Sequence, residues 1–435
     1  MTSAPPARAV VVGSGPNGLA SAITLARGGA RVRVLEATTT PGGGMRSFLN
    51  ERFGTVHDHC SAVHPLARLS PFFRRIGLQR SVEFVTPPRP FAQAMESGSG
   101  PLGRTVATFA GIATHAMLPP GAPLALGTGL LLGGAGLVAG WPIPIGGTQR
   151  ITDFLVEHLE ELGGEIECNR PVSPHDLPEE IETADLVLWD TDAELAHSAA
   201  GGVDRRSGQI GEAVTRRGPR RYGPGAAKAD FVTNAPIPWS DARLSEAATV
   251  HVGGTWRQMA SAERSVGHGV LAEHPVMLVS QPSVFDPTRA PRGLHTVWAY
   301  AHVPADSSVD PADLITREIE RYAPGFSKTV LDARTSTAAS MAEYNMNYVG
   351  GDIASGATRG LQLVTSGHAG VRPGSGLRGR LEGVATAPWT LPRRGWYLCS
   401  GTTPPGPGVH GMSGAIAASL ALRQRRAEQS PRGRR

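Results

Sequence analysis

The chain has 435 residues, 40% hydrophobic and 18% charged, which excludes a disordered polymer and predicts two domains or one elaborate one. Its net charge of +5 resides in Arg423–Arg435, where six arginines face one glutamate; the remainder is balanced, and nothing points to a nucleic-acid partner. Three scattered cysteines, Cys60, Cys168 and Cys399, form no CxxC pair, which argues against a disulfide framework and predicts a reducing, cytoplasmic setting.

The first predicted elements form one unit. Ala9–Val12 reads as a strand and not as part of a secretory signal. Gly13, Gly15 and Gly18 spell G-x-G-x-x-G, Leu19–Arg27 continues as a helix, Gly28–Gly29 ends it, and Arg31–Leu35 is the next strand, with Glu36 at its end. The glycines permit a tight turn and close approach to a pyrophosphate, whose charge the helix N-terminus stabilises. Glu36 can accept both adenosine ribose hydroxyls and would repel a 2′-phosphate, which disfavours NADP; the fingerprint does not separate NAD from FAD. Gly42, Gly43 and Gly44, followed by Met45 and Arg46, form a second glycine turn whose arginine can reach a pyrophosphate from the other side.

Further along, "HDHCSAVHPL" places His57, Asp58, His59 and His64 within eight residues, a spacing unlike any closed metal site, so no metal is expected. Gly98–Gly103 reads as a Ser/Gly/Pro linker. No charged residue lies between His115 and Arg150, and "PLALGTGLLLGGAGLVAG" approaches the ~20 residues of a bilayer span. Its glycines and the following "WPIPIGG" predict instead a buried or membrane-touching helix.

A helix with Ile151, Leu155, Leu159 and Leu162 on one face comes next, then a strand at Glu165–Cys168 and a buried strand within Ala184–Asp192. "AAKADFVT", "ATVHVGG", "PVMLVSQPS" and "HTVWAYAHV" are β-rich runs predicting an antiparallel sheet. Asp310 and Pro311 open a helix as N-cap and first residue. Near the end, "SGTTPPGPGVHGMSGAIAAS" is a glycine- and proline-rich loop running into a helix from about His410 to Leu422, a second helix start able to face an anion. Residues 424–435 read as a basic disordered tail.

The words "VVGSGPNGLASAITLARGG", "LEATTTPGGGMRS", "HDHCSAVHPLARLSPFF", "GWPIPIGGTQ", "QPSVFDPTRAP", "YNMNYVGGDI" and "YLCSGTTPPGPGVHGMSG", in this order, span nearly the whole chain. They resemble the phytoene desaturase and amine oxidase group of FAD-dependent oxidoreductases, and most closely bacterial phytoene-dehydrogenase-like flavoproteins. The resemblance implies an α/β fold: a Rossmann-like FAD-binding domain from residues 1–75, 145–224 and 385–423, and a second α+β substrate domain, built on an antiparallel sheet, from residues 76–144 and 225–384. It implies FAD contacts from Gly13, Gly15, Pro16, Asn17, Gly18, Glu36, Ala37, Gly43, Gly44, Met45 and Arg46. Val172 would meet the adenine, Gly401 would join the cofactor contacts, and the backbone of Gly408, Val409 and His410 would approach the isoalloxazine.

The same resemblance makes Lys228 the lysine that holds a water against flavin N5, with Asp230 on the same side of its strand. It offers Asp58 or His64 as acid or base, and places Tyr344, Asn347, Tyr348 and Asp352 in the pocket lining. The implied reaction is dehydrogenation of an apolar polyene, isoprenoid or acyl-type substrate. Two alternatives stand beside it, a non-redox FAD-dependent isomerase or cyclase and an FAD-loaded non-catalytic partner subunit. Relatives carry several tens of residues of helical substrate domain where this chain has Gly98–Gly103. An exposed site follows, to be closed by self-association, a heteromeric partner or peripheral contact with a membrane.

Overall fold

The structure, a computed structural model, describes residues 5–95, 100–201, 221–365 and 385–429. In chain order its strands are β1 (Arg8–Val12), β2 (Arg31–Leu35), β3 (Ser47–Asn50), β4 (Thr55–Asp58), β5 (Phe84–Val85), β6 (Arg89–Ala94), β7 (Ile143–Pro144), β8 (Glu165–Glu167), β9 (Leu186–Trp189), β10 (Gly225–Thr233), β11 (Ala247–Val252), β12 (Met277–Ser280), β13 (His295–Val303), β14 (Val330–Ser336) and β15 (Trp396–Leu398). Six helices frame the site: α1 (Pro16–Arg27), α2 (Pro101–Ala113), α3 (Pro123–Ala139), α4 (Gln149–Glu161), α5 (Pro311–Glu320) and α6 (Met412–Gln429).

The first sheet runs β15-β9-β1-β2-β8 with all neighbours parallel. A parallel sheet is covered on both faces, so its central strands read as unbroken apolar runs. Alternate residues serve opposite faces: Ala9, Val11, Leu186 and Leu188 pack on α1, α4 and α6, while Val10, Val12, Val187 and Trp189 join the core on the other side. α1 begins at Pro16, three residues before the predicted start, with Gly15 as N-cap; proline is tolerated there because its missing N–H has no helical partner. On α4 the buried face is Ile151, Leu155 and Leu159. Leu162 corrects the prediction: it caps the helix and is 37% exposed. α6 crosses α1 so closely that a Cβ on Gly414 would lie 1.8 Å from the Asn17 carbonyl oxygen.

The second sheet runs β14-β10-β13-β12-β11-β6. It is mixed rather than antiparallel as predicted, because edge strand β6 pairs parallel to β11, from Arg89 opposite Ala247 to Ala94 opposite Val252. Parallel neighbours cannot be joined by a hairpin, and here α2, α3 and the return through the first domain intervene. β10 is buried throughout, and Leu314, Ile315 and Ile319 of α5 pack into the core beneath it. The α/β class and the separate second sheet agree with the expectation.

α2 starts at Pro101, so the last three residues of the expected linker are helical; Gly98 and Ser99 lie outside the described residues. α3 exposes Leu126, Gly127, Leu130, Leu131, Gly134, Leu137 and Val138, with Leu137 at 85% and Val138 at 78%. Its outward face from Leu126 to Val138 therefore carries no polar side chain. Among the described residues, no helix is long and apolar enough to cross a membrane. α6 continues to Gln429, which corrects the expected disorder from 424; residues 430–435 lie outside the description.

Candidate active site

The glycine fingerprint folds into a backbone cradle. Gly13 has φ +95°, and a Cβ there would sit 2.6 Å from the Asp190 carbonyl oxygen. A Cβ on Gly18 would lie 2.2 Å from the Gly13 carbonyl, so only glycine fits where α1 packs onto β1. The second glycine turn docks on the first: a Cβ on Gly43 would come 3.1 Å from the Gly15 Cα. Glu36, buried at the end of β2, accepts from the Ser14 N–H and hydroxyl on one oxygen and from the Thr38 N–H and hydroxyl on the other. The Arg46 guanidinium bonds the Gly43 carbonyl, the Thr38 hydroxyl and the Tyr344 carbonyl, and stacks 4.2 Å from the Tyr344 ring centroid.

These parts line one cavity of about 460 Å³. Gly13, Gly15, Pro16, Asn17, Glu36 and Ala37 line it from the first turn, and Gly43, Gly44 and Arg46 from the second. Val172 contributes a buried apolar wall with Leu195. Gly401, Gly408 and Val409 bring in the C-terminal loop. The floor is the second sheet, where Lys228, Tyr300 and Leu278 are cross-strand partners on β10, β13 and β12. Leu124, Leu131, Leu132 and Trp141 supply an apolar wall from α3 and the chain after it.

Lys228 is buried, and its Nζ bonds Asp230 Oδ2. Burial pushes the Asp230 carboxyl up to about 6, although the Lys228 ammonium works against it. The Lys228 Nζ stands 5.9 Å from the Trp298 ring centroid, and the Trp298 indole N–H donates to the Cys60 carbonyl at 2.7 Å. His57 Nδ1 lies 3.9 Å from Asp230 Oδ1. Burial, then the Lys228 charge, pushes His57 down to about 3, so it stays neutral beside the pair.

Residues 11–76 match the family model of the NAD(P)-binding Rossmann-like domain. Among solved structures, an oxidoreductase from Methanosarcina mazei aligns over 96% of this chain and 100% of its own, at 14% identity and a TM-score of 0.61. Cyclohexylamine oxidase from Brevibacterium oxydans aligns over 97% and 100%, at 12% identity and 0.56. A redesigned putrescine oxidase aligns over 97% and 100%, at 14% and 0.56. At such identities the likeness is one of fold. No curated protein matches the sequence significantly.

Five expected site residues stand off the cavity wall. Asp58 is buried, and its carboxylate is filled by the Ser47 hydroxyl, the Thr148 N–H and Arg289 at 2.9 Å. Arg289, itself fully buried, also binds Asp286. The Arg289 charge and these hydrogen bonds hold Asp58 below its ordinary value despite burial, so it is an ion-pair anchor joining β4 to the loop before α4, which corrects the acid–base expectation. His410 is turned into its own loop, with Nδ1 accepting from Met412 N–H and Nε2 beside the Gly406 carbonyl. Met45 is core, and the Gly18 N–H is taken by Asp190. His64 does line the cavity, with Nε2 at 3.0 Å from the Thr148 hydroxyl, and burial pushes it down to about 4. Tyr344, Asn347 and Tyr348 line the cavity as expected; Asp352 instead accepts backbone N–H groups of Gly223, Ala354 and Gly356.

Sequence reasoning missed Asp190. It follows β9, and its Oδ2 accepts from the Gly18 N–H at 2.7 Å across 172 positions of chain. The signal available was an aspartate directly after an apolar strand in "LVLWD".

The cavity fits a dinucleotide. Gly13, Gly15, Gly43 and Gly44 line it with bare backbone, the Val172 wall suits a planar base, and two of the four donors on Glu36 are hydroxyls that can rotate to admit ribose. Asp190 opposes an anion at the cradle only when ionised, and burial pushes its carboxyl up to about 7.

Proposed function

We propose that the chain binds FAD in this cavity and is an oxidoreductase that dehydrogenates an apolar substrate of polyene, isoprenoid or acyl type. One observation carries the reading: the glycine cradle and the apolar wall of α3 belong to a single cavity, floored by Lys228. Bound FAD would supply the two-electron acceptor for the reaction. Gly13, Gly15 and Asn17 would hold the pyrophosphate, Glu36 the ribose, Val172 the adenine, and the Gly401–Val409 loop the flavin end.

The chain's own residues do the rest. Lys228 holds a proton or a bound water at Nζ, facing the cavity. Asp230 shares that proton, and its raised pKa near 6 makes it a competent acceptor close to neutral pH. His57 and His64 remain neutral and bring no competing cation. The buried Leu132, Trp141 and Leu278 exclude water from the reacting carbon.

The test is anaerobic mixing of the FAD-loaded chain with a polyene, followed at the flavin absorbance. Bleaching with formation of a new double bond is expected. Migration of a double bond without net oxidation would give the isomerase reading. Turnover only after addition of a related chain would give the partner-subunit reading.

A further inference from the structure

The apolar part of the cavity is lined by a histidine, bonded to a second one buried behind it, that this chemistry does not use. His115 follows α2 and lines the cavity beside Ala116, Leu124, Leu132 and Trp141. Its Nε2 lies 3.0 Å from Nε2 of His251 on β11. The Trp141 ring meets both imidazoles edge-on, which fixes their planes.

The hydrogen positions follow from the partners. His251 Nδ1 is 3.2 Å from the Ala92 carbonyl oxygen. A carbonyl only accepts, so Nδ1 carries the hydrogen. His251 is fully buried, and burial pushes it down to about 4, so the ring is neutral and its Nε2 bears a lone pair. Of two nitrogens 3.0 Å apart, one must donate; the donor is therefore His115 Nε2. Burial, then the neighbouring His251 and His302, holds His115 well below its ordinary value. It too is neutral, and its one hydrogen is spent on His251. Its Nδ1 is left with a lone pair, and among the described residues no hydrogen bond reaches it. The nearby Thr128 hydroxyl is spent on the Leu124 carbonyl.

We infer that His115 Nδ1 is a tautomer-locked hydrogen-bond acceptor in the substrate chamber, selecting an apolar substrate that carries a hydroxyl group. An ether or ketone oxygen would bring lone pair to lone pair. An ammonium would have to shed its water among leucines, at a far higher desolvation cost than a hydroxyl. The inference rests on the reading of this cavity as the substrate site.

Two measurements on the FAD-loaded protein test it. Displacement of a polarity-sensitive dye by dodecanol, dodecyl methyl ether and dodecylamine reads the ligand preference. Dodecanol should bind about tenfold tighter than the ether, the worth of one buried hydrogen bond, and His115→Phe should abolish the difference. Nitrogen NMR of the wild-type histidines reads the lock directly: His115 should carry hydrogen on Nε2 and His251 on Nδ1, both neutral at pH 6. Equal affinity for dodecanol and its ether, tighter dodecylamine, or hydrogen on His115 Nδ1 overturns the inference while the cavity reading stands. Failure of all three probes to bind overturns the cavity reading and the inference together.

Discussion

Asp190 Oδ2 sits 2.7 Å from the backbone nitrogen of Gly18, in the first turn of α1. The chain thus brings its own carboxylate to the helix start where, on the proposed reading, the fingerprint would receive a phosphate. Burial, chiefly, and the nearby Glu36 charge raise its pKa, while the Gly18 and Gly15 N–H groups lower it; the balance is about 7, against 3.8 for a free side chain.

A pH dependence follows, and its sign is fixed. A carboxyl whose folded pKa is raised contributes stability that is fully present below 3.8 and is lost as the pH rises through 7. A bound pyrophosphate also favours the protonated form. FAD affinity should therefore fall between pH 6 and 8, and Asp190→Asn should flatten the slope and tighten binding at pH 8. Fluorescence titrations with equal slopes in both proteins would show that Asp190 does not ionise beside the cofactor.

Glu36→Arg should cost FAD affinity tenfold or more. The charged acceptor of both ribose hydroxyls is lost, and hydrogen bonds to charged groups contribute roughly 1.5–3 kcal/mol each. The Ser14 and Thr38 donors also lose their partner, so the melting temperature should fall as well. Unaltered affinity on titration would put the ribose elsewhere.

Lys228→Met should leave FAD bound but change the rates of flavin reduction and reoxidation in stopped flow. Without its cation the buried Asp230 carboxyl is pushed further up, which favours its neutral form beside the new apolar side chain. Wild-type rates in the variant would remove Lys228 from the chemistry.

Arg289→Met should act on stability. It leaves Asp58 and Asp286 buried without their cation, and breaking a buried pair typically costs about 3–5 kcal/mol. Denaturant unfolding should show the loss, while turnover per folded molecule stays near wild type because none of the three lines the cavity. Full stability with lost turnover would restore Asp58 to a catalytic role.

Leu130→Glu with Leu137→Glu should leave the fold intact, since both side chains point outward from α3. Wild-type protein should float with phosphatidylcholine vesicles or self-associate in light scattering, and the double variant should do neither. A wild-type monomer indifferent to vesicles would show that α3 needs no cover.

The β1–α1–β2 unit was legible because its signals are local: glycines, an apolar strand and an acidic residue fall within thirty residues of one another. The second glycine turn and the Asp310 cap were legible for the same reason, and the cap bonds the Ala312 N–H as expected. What escaped was long-range. Asp58 meets Arg289 across 231 positions, and His115 meets His251 across 136; neither pair leaves a mark in the spacing of its own segment. β6 escaped because an edge strand of six residues carries little alternation, and its direction is set by where the chain enters from the first domain.

The crossing of α6 over α1, backbone against backbone at Gly414 and Asn17, has a consequence for synthesis. The cradle glycines emerge from the ribosome about 400 residues before the helix that braces them and the strand, β15, that completes their sheet. At roughly 5–20 residues per second this delay is on the order of 20–80 s. Throughout it, the apolar face of α1 has no partner from the C-terminal segment. A dinucleotide that binds the cradle would therefore meet its finished form only late in synthesis, once α6 has been made.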